Sequence, residues 1–282
     1  MTDTEHDPIS YTALKVLQQR ARHCTIPMCR EMTEAAGIPW KSAWPRNFLR
    51  KVVGGKAQSG EYLQLRHDAM THALKEYAGH AVLELAAGFG TRGVHEAATR
   101  EMYIETDLQN LLRRKESVVA KLRGGKLSPN HYFHPANVTD PDEMTNIGRF
   151  VNGLNLKKPI VIIHEGLLMY FDQREQEIIR DNMARLMVSL QSGAIWLTPD
   201  FSERNIDQSF LQKLMSLKLR GHVKRELNYF TDNDAVVRFL KAGSLRCEWL
   251  PNHTNPADVR IHAYAEYFRI HKITLQNSEP RR

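Results

Sequence analysis

The stretch of sequence that decides the fold is residues 81–93, AVLELAAGFGTRG. It begins with short apolar residues and contains a single acid, Glu84, which is the composition of a buried strand. The glycines Gly88 and Gly90 follow, and the chain then enters a run that can be helical. A strand, a glycine turn and a helix in that order build a nucleotide site in α/β proteins, because glycine lets the ligand approach the backbone and the helix start offers free N–H groups.

Glu84 narrows the kind of ligand that this turn could bind. A carboxylate inside the strand would repel a pyrophosphate, but it could hold a cation such as the ammonium of an amino acid. S-adenosylmethionine (SAM) carries that ammonium and no phosphate. The alternative is an ordinary strand–helix turn in which Glu84 is solvated or paired with a lysine.

A second element lies about 20 residues further on, where a ribose-binding site requires an acid. Residues 102–107 read MYIETD, a short strand with two acids near its end. Side chains alternate along a strand, so Glu105 and Asp107 face the same way. Asp107 lies nearer the strand end and is predicted to bind the ribose, whereas Glu105 could be structural.

Composition bounds the class of protein. The chain has 282 residues, three cysteines and a formal net charge of +7. Its longest apolar runs are too short to span a bilayer, and residues 1–7 lack the apolar core of a signal peptide. The sparse cysteines favour a reducing cytoplasm and show no metal-type spacing, so we expect a cytoplasmic protein with no metal site. The basic residues are scattered and form no patch, so we interpret the positive charge as an aid to solubility and expect no nucleic-acid or membrane partner. The oligomeric state is left open.

The order of elements predicts two parts. Residues 1–79 read as a helical cap, and residues 80–282 read as alternating strands and helices followed by two closing strands. Residues 201–230 form a long insertion after the fifth strand that is either a substrate lid or padding. The pattern predicts an α/β fold, a Rossmann-like seven-stranded sheet of the type found in SAM-dependent methyltransferases, with the cap at its N-terminus.

A further motif is the most specific in the chain. Residues 164–171, HEGLLMYF, together with the turn AAGFGTR and the ETD of the second strand, resemble the leucine carboxyl methyltransferase family. That family includes the tetracenomycin-type polyketide O-methyltransferases. The resemblance covers roughly residues 61–197, and it implies a class I SAM-dependent methyltransferase with S-adenosylhomocysteine as product.

The resemblance implies roles for individual residues around the turn. Arg66 corresponds to the arginine that holds the SAM carboxylate, a task that suits a bidentate guanidinium. Its other interpretation is a surface pair with Asp68 or Glu61. The first glycine of the family turn is Ala86 here, and its methyl group would narrow the space beside the cofactor, whereas Gly88 matches the family.

The strand ends carry the other implied cofactor residues. Asp107 matches the ribose acid, and Glu165 matches the family glutamate near the methionyl part of SAM. Asn137 and Val138 replace the Asp-Leu pair beside adenine; the Asn137 carbonyl oxygen could accept from the adenine amino group, or the residue could belong to a turn.

The activity expected from this resemblance is methyl transfer to oxygen. The acceptor would be a carboxylate or phenolic hydroxyl of a small, largely apolar molecule; a carboxylate needs no base, whereas a phenol would benefit from one. Tyr170 is the candidate catalytic residue, although it could simply pack, and His164 and His222 are further candidates for a base. Two alternatives remain: an NAD(P)-dependent oxidoreductase, and a non-catalytic SAM-binding protein on the same fold.

Overall fold

The structure, a computed structural model, describes residues 7–39, 59–201, 228, 230, 232–250 and 270–276. In the first part of the chain the described helices are α1 (Asp7–His23), α2 (Cys29–Ala35) and α3 (Ser59–Lys75). Later helices are α4 (Arg92–Glu96), α5 (Gln109–Leu122), α6 (Pro141–Gly153), α7 (Gln173–Ser189) and α8 (Asn233–Ala242).

The described strands form one seven-stranded sheet of order β3-β2-β1-β4-β5-β7-β6. They are β1 (Val82–Glu84), β2 (Tyr103–Glu105), β3 (His131–Phe133), β4 (Ile160–Ile163), β5 (Ala194–Thr198), β6 (Leu245–Trp249) and β7 (His271–Leu275). The first five strands are parallel, and β7 runs antiparallel to both of its neighbours. Strand order reverses between β1 and β4, which is the position where ligands bind in sheets of this kind.

Both faces of the sheet are covered, which explains the continuous apolar runs in its central strands. Leu83 and Ile162 point to the face covered by α6, α7 and α8, whereas Val82, Val161 and Ile163 point to the face covered by α3. These side chains are at most 1% exposed. Burial of each such side chain contributes about 1.5–3 kcal/mol to stability, so the sheet positions the loops at its ends rigidly.

The helices of the first part pack directly on the sheet layer. Met70 and Leu74 of α3 contact the sheet face. The helices α1 and α2 share an apolar cluster with α5, to which Leu17, Met32 and Val119 belong. The division into a cap of residues 1–79 and a domain of residues 80–282 stays a prediction.

The predicted seven-stranded fold is confirmed. The sequence pattern also predicts a helix over residues 61–77 and a last strand over residues 262–274. The structure has this helix from Ser59 to Lys75 and describes the strand from His271 to Leu275. Apart from Phe201, Asn228 and Phe230, the predicted insertion of residues 201–230 lies outside the described residues, as does His222. Among the helices that the structure describes, none has the length and apolar character needed to cross a bilayer.

Candidate functional site

A cavity of about 130 Å³ lies at the carboxyl ends of the parallel strands, and α1 forms part of its wall. Its lining includes every cofactor-binding residue expected from the sequence except Glu84, and also Tyr170. These residues are Arg66, Ala86, Gly88, Asp107, Asn137, Val138, Glu165 and Tyr170. Parallel strands bring their ends to one edge, which is why residues from such distant parts of the chain meet here.

The glycine turn is held in an unusual backbone conformation. Ala86 and Gly88 both have a φ of +49°, in the left-handed region that favours glycine. Ala87 lies between them and is fixed by hydrogen bonds: its N–H donates to the Thr106 carbonyl at 2.9 Å, and its own carbonyl accepts from Gly90 N–H at 2.9 Å. Ala86 therefore keeps the backbone shape of a glycine, and its methyl group lines the cavity.

Asp107 connects the turn to the end of β2. Its Oδ2 accepts from Gly88 N–H at 2.7 Å, and its Oδ1 accepts from Leu108 N–H at 2.8 Å. Burial raises the pKa of Asp107, and these two N–H donors oppose that rise. Each carboxylate oxygen has a second lone-pair site, so Asp107 can accept two further hydrogen bonds from a ligand.

Asn137 and Val138 follow β3 and line the same cavity. The Asn137 Oδ1 atom accepts from Thr139 N–H at 3.0 Å and from Thr139 Oγ1 at 2.8 Å, which is the Asx turn considered as the alternative. That oxygen thus already accepts two hydrogen bonds within the protein, and the role expected for Asn137 beside adenine stays a prediction. The Val138 N–H has no hydrogen-bond acceptor within the part of the chain that the structure describes.

Three arginines surround one carboxylate at the other end of the cavity. Glu165 Oε1 pairs with Arg20 of α1 and with Arg66 Nε of α3 at 3.1 Å, and its Oε2 pairs with Arg92 of α4 at 2.8 Å. Burial alone would raise the pKa of Glu165, but the three guanidinium charges hold it well below its usual range. Arg92 also pairs with Glu96 of α4 at 4.0 Å. With three positive charges to two negative, this arginine cluster keeps a positive surplus that suits an anionic group of a ligand.

The loop that carries Glu165 is held by Asp200 at the end of β5. The Asp200 carboxylate accepts from the N–H groups of Gly166 at 2.6 Å and Leu168 at 3.0 Å, and from that of Leu167 at 2.5 Å. It also bonds His164 Nδ1 at 3.0 Å. Burial acts to raise the pKa of Asp200, but His164, Arg66 and the Gly166 N–H lower it overall.

Glu84 lines a smaller neighbouring cavity of about 30 Å³ together with Arg20 and Arg92. Its Oε2 accepts from the Tyr103 hydroxyl at 2.7 Å. Burial raises the pKa of Glu84 to about 7, against the opposing charge of Lys115. Nε of Arg20 and of Arg92 are buried there without a hydrogen-bond partner among the described residues, so this end combines both signs of charge.

The expected catalytic candidates differ in position. Tyr170 lines the main cavity, and burial raises the pKa of its hydroxyl, so it is neutral at neutral pH. His164 is fully buried between Asp200 and Thr198 and does not belong to the cavity lining. Among the described residues no cluster of histidines, cysteines and acids could hold a metal ion.

Sequence reasoning missed Arg20, Arg92 and Asp200. Arg92 directly follows the glycine turn and Asp200 ends a central strand, so the rule that ligands bind at the carboxyl ends of strands could have found both. Arg20 lies 145 residues from Glu165 in sequence, and no local pattern indicates that contact.

Comparison with known proteins establishes the fold. No family model and no curated protein sequence matches this chain. A DUF574 family protein from Streptomyces avermitilis is 13% identical, with 92% of this chain and 95% of that chain covered and a TM-score of 0.55. A candidate methyltransferase from Thermobifida fusca is 14% identical, with coverages of 93% and 94% and a TM-score of 0.54.

The chain has the Rossmann-like seven-stranded fold that its sequence predicts. Both neighbours are matched over nearly their full length. At this level of identity the likeness extends to architecture, and function has to be argued from the cavity.

Proposed function

We propose that this protein is a SAM-dependent O-methyltransferase that acts on a small, largely apolar acceptor. The observation that carries the proposal is a single cavity that joins Asp107 at one end to the arginine cluster around Glu165 at the other. SAM is an adenosine joined to a zwitterionic amino acid. Its ribose requires a hydrogen-bond acceptor at one end of the cavity, and its amino-acid half requires both signs of charge at the other end.

The strand ends supply groups for the adenosine half of SAM. The free lone pairs of Asp107 would accept from the two ribose hydroxyls. The Val138 N–H would donate to an adenine ring nitrogen, since no described residue accepts from it. Asn137 would then support this loop through its Asx turn and leave base contacts to the backbone beside it.

The arginine cluster and Glu84 supply groups for the amino-acid half. Arg66 lines the main cavity and would bind the carboxylate, with the surplus charge of Arg20 and Arg92 behind it. Glu84, on the neighbouring cavity, would be the counter-charge for the ammonium.

A dinucleotide fits this arrangement less well. The Gly88 N–H already donates to Asp107, and the Gly90 N–H already donates to the Ala87 carbonyl. A pyrophosphate over the turn would need those donors, and it would lie near the Glu84 carboxylate. The oxidoreductase alternative therefore lacks the anion site that it needs.

We propose a carboxylate as the acceptor in preference to a phenol. SAM supplies an electrophilic methyl group, so the protein has to align the acceptor oxygen and exclude water. A carboxylate is already anionic, whereas a phenol would need a base. Of the two histidine candidates, His164 is outside the cavity lining and His222 lies outside the described residues. Tyr170, as a neutral hydroxyl, would donate a hydrogen bond that orients the acceptor.

We also propose that the chain belongs to the leucine carboxyl methyltransferase family. The motif of residues 164–171 and the position of Glu165 in the cavity support membership of the leucine carboxyl methyltransferase family. We further propose a cytoplasmic location and a small-molecule acceptor, and neither a nucleic acid nor a membrane as partner.

The direct test is calorimetric titration of the protein with SAM, S-adenosylhomocysteine and NADH. Micromolar binding of SAM and S-adenosylhomocysteine, with no binding of NADH, supports the proposal. Incubation with labelled SAM and a panel of carboxylic acids and phenols then identifies the acceptor class. Binding of NADH alone would establish the oxidoreductase alternative. SAM binding without transfer to any acceptor would favour the non-catalytic alternative.

The Asp107→Ala variant tests the ribose assignment. The loss of charge-assisted hydrogen bonds should weaken SAM binding at least about tenfold. The measurement is the Kd from calorimetry at equal temperature and salt. The matched control is Asp142→Ala, at an exposed position on the first turn of α6, which should bind SAM as the wild type does. An unchanged Kd in Asp107→Ala would remove Asp107 from the site.

A further inference from the structure

A buried charged cluster lies behind the glycine turn, outside the cavity lining. Lys115 of α5 has a fully buried side chain, and its ammonium pairs with Glu105, also fully buried. The other oxygen of Glu105 bonds His131 Nε2 at 2.8 Å. The proposed function uses none of these three residues.

Burying such a pair gives no general gain in stability. Removing an ammonium and a carboxylate from water costs several kcal/mol per ion, and well-packed apolar side chains often serve equally well. The presence of Lys115 therefore calls for a contact that an apolar residue could not make. That contact is to the turn: Lys115 Nζ donates to the Ala87 carbonyl at 3.3 Å.

The Ala87 carbonyl is the point on which the turn depends. Ala87 lies between two residues with a left-handed backbone, Ala86 and Gly88. Ala86 adopts that conformation only at a cost in free energy. Its carbonyl accepts from the Gly90 N–H as well as from Lys115. These bonds determine the direction in which the Gly88 N–H points, which is toward Asp107.

We infer that Lys115 is a positioning residue for the cofactor turn. Its ammonium holds the Ala87 carbonyl, and the turn so held presents Gly88 to Asp107 and the Ala86 methyl group to the cavity. Glu105, itself fixed by His131, keeps the ammonium in place. The inference rests on the proposed function only in naming the turn's ligand as SAM.

Two further observations support this role. A Cβ at Gly93 would overlap the Glu105 carboxylate and come within 2.8 Å of His131 Nε2. The start of α4 is therefore packed against the cluster and leaves Glu105 and His131 no room to shift. The charge of Lys115 also opposes the burial that raises the pKa values of Asp107 and Glu84, so it favours the ionised form of both.

The test separates positioning from stability by a double substitution. Lys115→Met alone leaves the Glu105 carboxylate buried without its cation, and this variant should unfold at a lower temperature. Lys115→Met combined with Glu105→Gln removes both charges and keeps a polar partner for His131. Lys121→Met, on the exposed face of the same helix, is the control.

Three quantities are measured for each variant: the melting temperature, the Kd for SAM, and hydrogen exchange of the Gly88 and Gly90 amides. The double variant should melt close to the wild type, bind SAM roughly tenfold more weakly, and exchange those two amides roughly tenfold faster. The control should match the wild type in all three.

A double variant with wild-type binding and wild-type exchange would overturn the inference, because the charges would then be merely structural. A wild-type protein that does not bind SAM would contradict the proposed function instead, and the exchange of the two amides would still decide the role of Lys115.

Discussion

Glu84 is a buried carboxylate whose protonation changes close to neutral pH. Its pKa is raised by burial from 4.5 to about 7, so the folded protein binds this proton more tightly than the unfolded chain does. The contribution of Glu84 to stability is therefore fully present below about pH 4.5 and is lost as the pH rises through about 7.

The Glu84→Gln variant should remove that pH dependence. A glutamine cannot ionise, so its folded state loses nothing as the pH rises from 5 to 8, and the melting temperature of the wild type should fall relative to the variant over this range. Thermal unfolding followed by circular dichroism at several pH values provides the measurement. Glu31→Gln, at an exposed position of α2, should change in parallel with the wild type. A constant difference between wild type and Glu84→Gln would mean that Glu84 stays ionised throughout.

The position of the short helix α4, beside the turn, is restricted by its packing against the buried cluster. It begins at Arg92, directly after the glycine turn, and its second residue, Gly93, lies against the carboxylate of Glu105 and the ring of His131. The helix can approach the sheet this closely only because Gly93 has no side chain.

Gly93→Ala should therefore destabilise the protein by about 1–3 kcal/mol, the usual cost of overpacking. It should also weaken SAM binding, because the displaced cluster includes Lys115, which contacts the turn. Denaturant unfolding and calorimetry measure the two effects. Gly153→Ala is the matched control, since it changes a helical glycine with nothing within 4 Å of the added methyl group. Equal stability of the two variants would contradict this account of α4.

The elements of the sheet could be predicted because their signals are local. The apolar run of β4 and the strand–glycine–helix order around β1 depend on neighbouring residues only. The start of α6 also has a local signal, since Asp140 caps the helix by accepting from the N–H groups of Asp142 and Glu143. Pro141 at its first position strengthens that signal.

The pairing of three arginines with Glu165 could not be predicted, because it is a property of the folded chain as a whole. Arg20, Arg66, Arg92 and Glu165 come from three helices and a strand end, and the pairs are 73 to 145 residues apart in sequence. An arginine on a helix gives no sign of whether it will be solvated or buried. Arg66 could be identified as a site residue only through the family resemblance. No feature of the sequence indicated Arg20 or Lys115.

The cluster leads to a prediction about which part of a ligand it recognises. Arg66→Ala should weaken the binding of SAM more than that of 5′-methylthioadenosine, which lacks both carboxylate and ammonium. The variant should fold, because Glu165 keeps its bonds to Arg20 and Arg92. A charge-assisted hydrogen bond contributes about 1.5–3 kcal/mol, so the SAM Kd should rise about tenfold or more while that of 5′-methylthioadenosine stays within about threefold.

The rise in melting temperature caused by SAM is a second measurement of the same difference in binding. A ligand at a concentration 100 times its Kd stabilises a protein by about 2.7 kcal/mol, so the wild type should melt several degrees higher with SAM. At that fixed SAM concentration Arg66→Ala should lose much of the shift, whereas Arg246→Ala, at an exposed position of the edge strand β6, should keep it. Equal losses for both ligands in Arg66→Ala would assign Arg66 to the support of Glu165, and the cofactor carboxylate would then belong to Arg20 and Arg92.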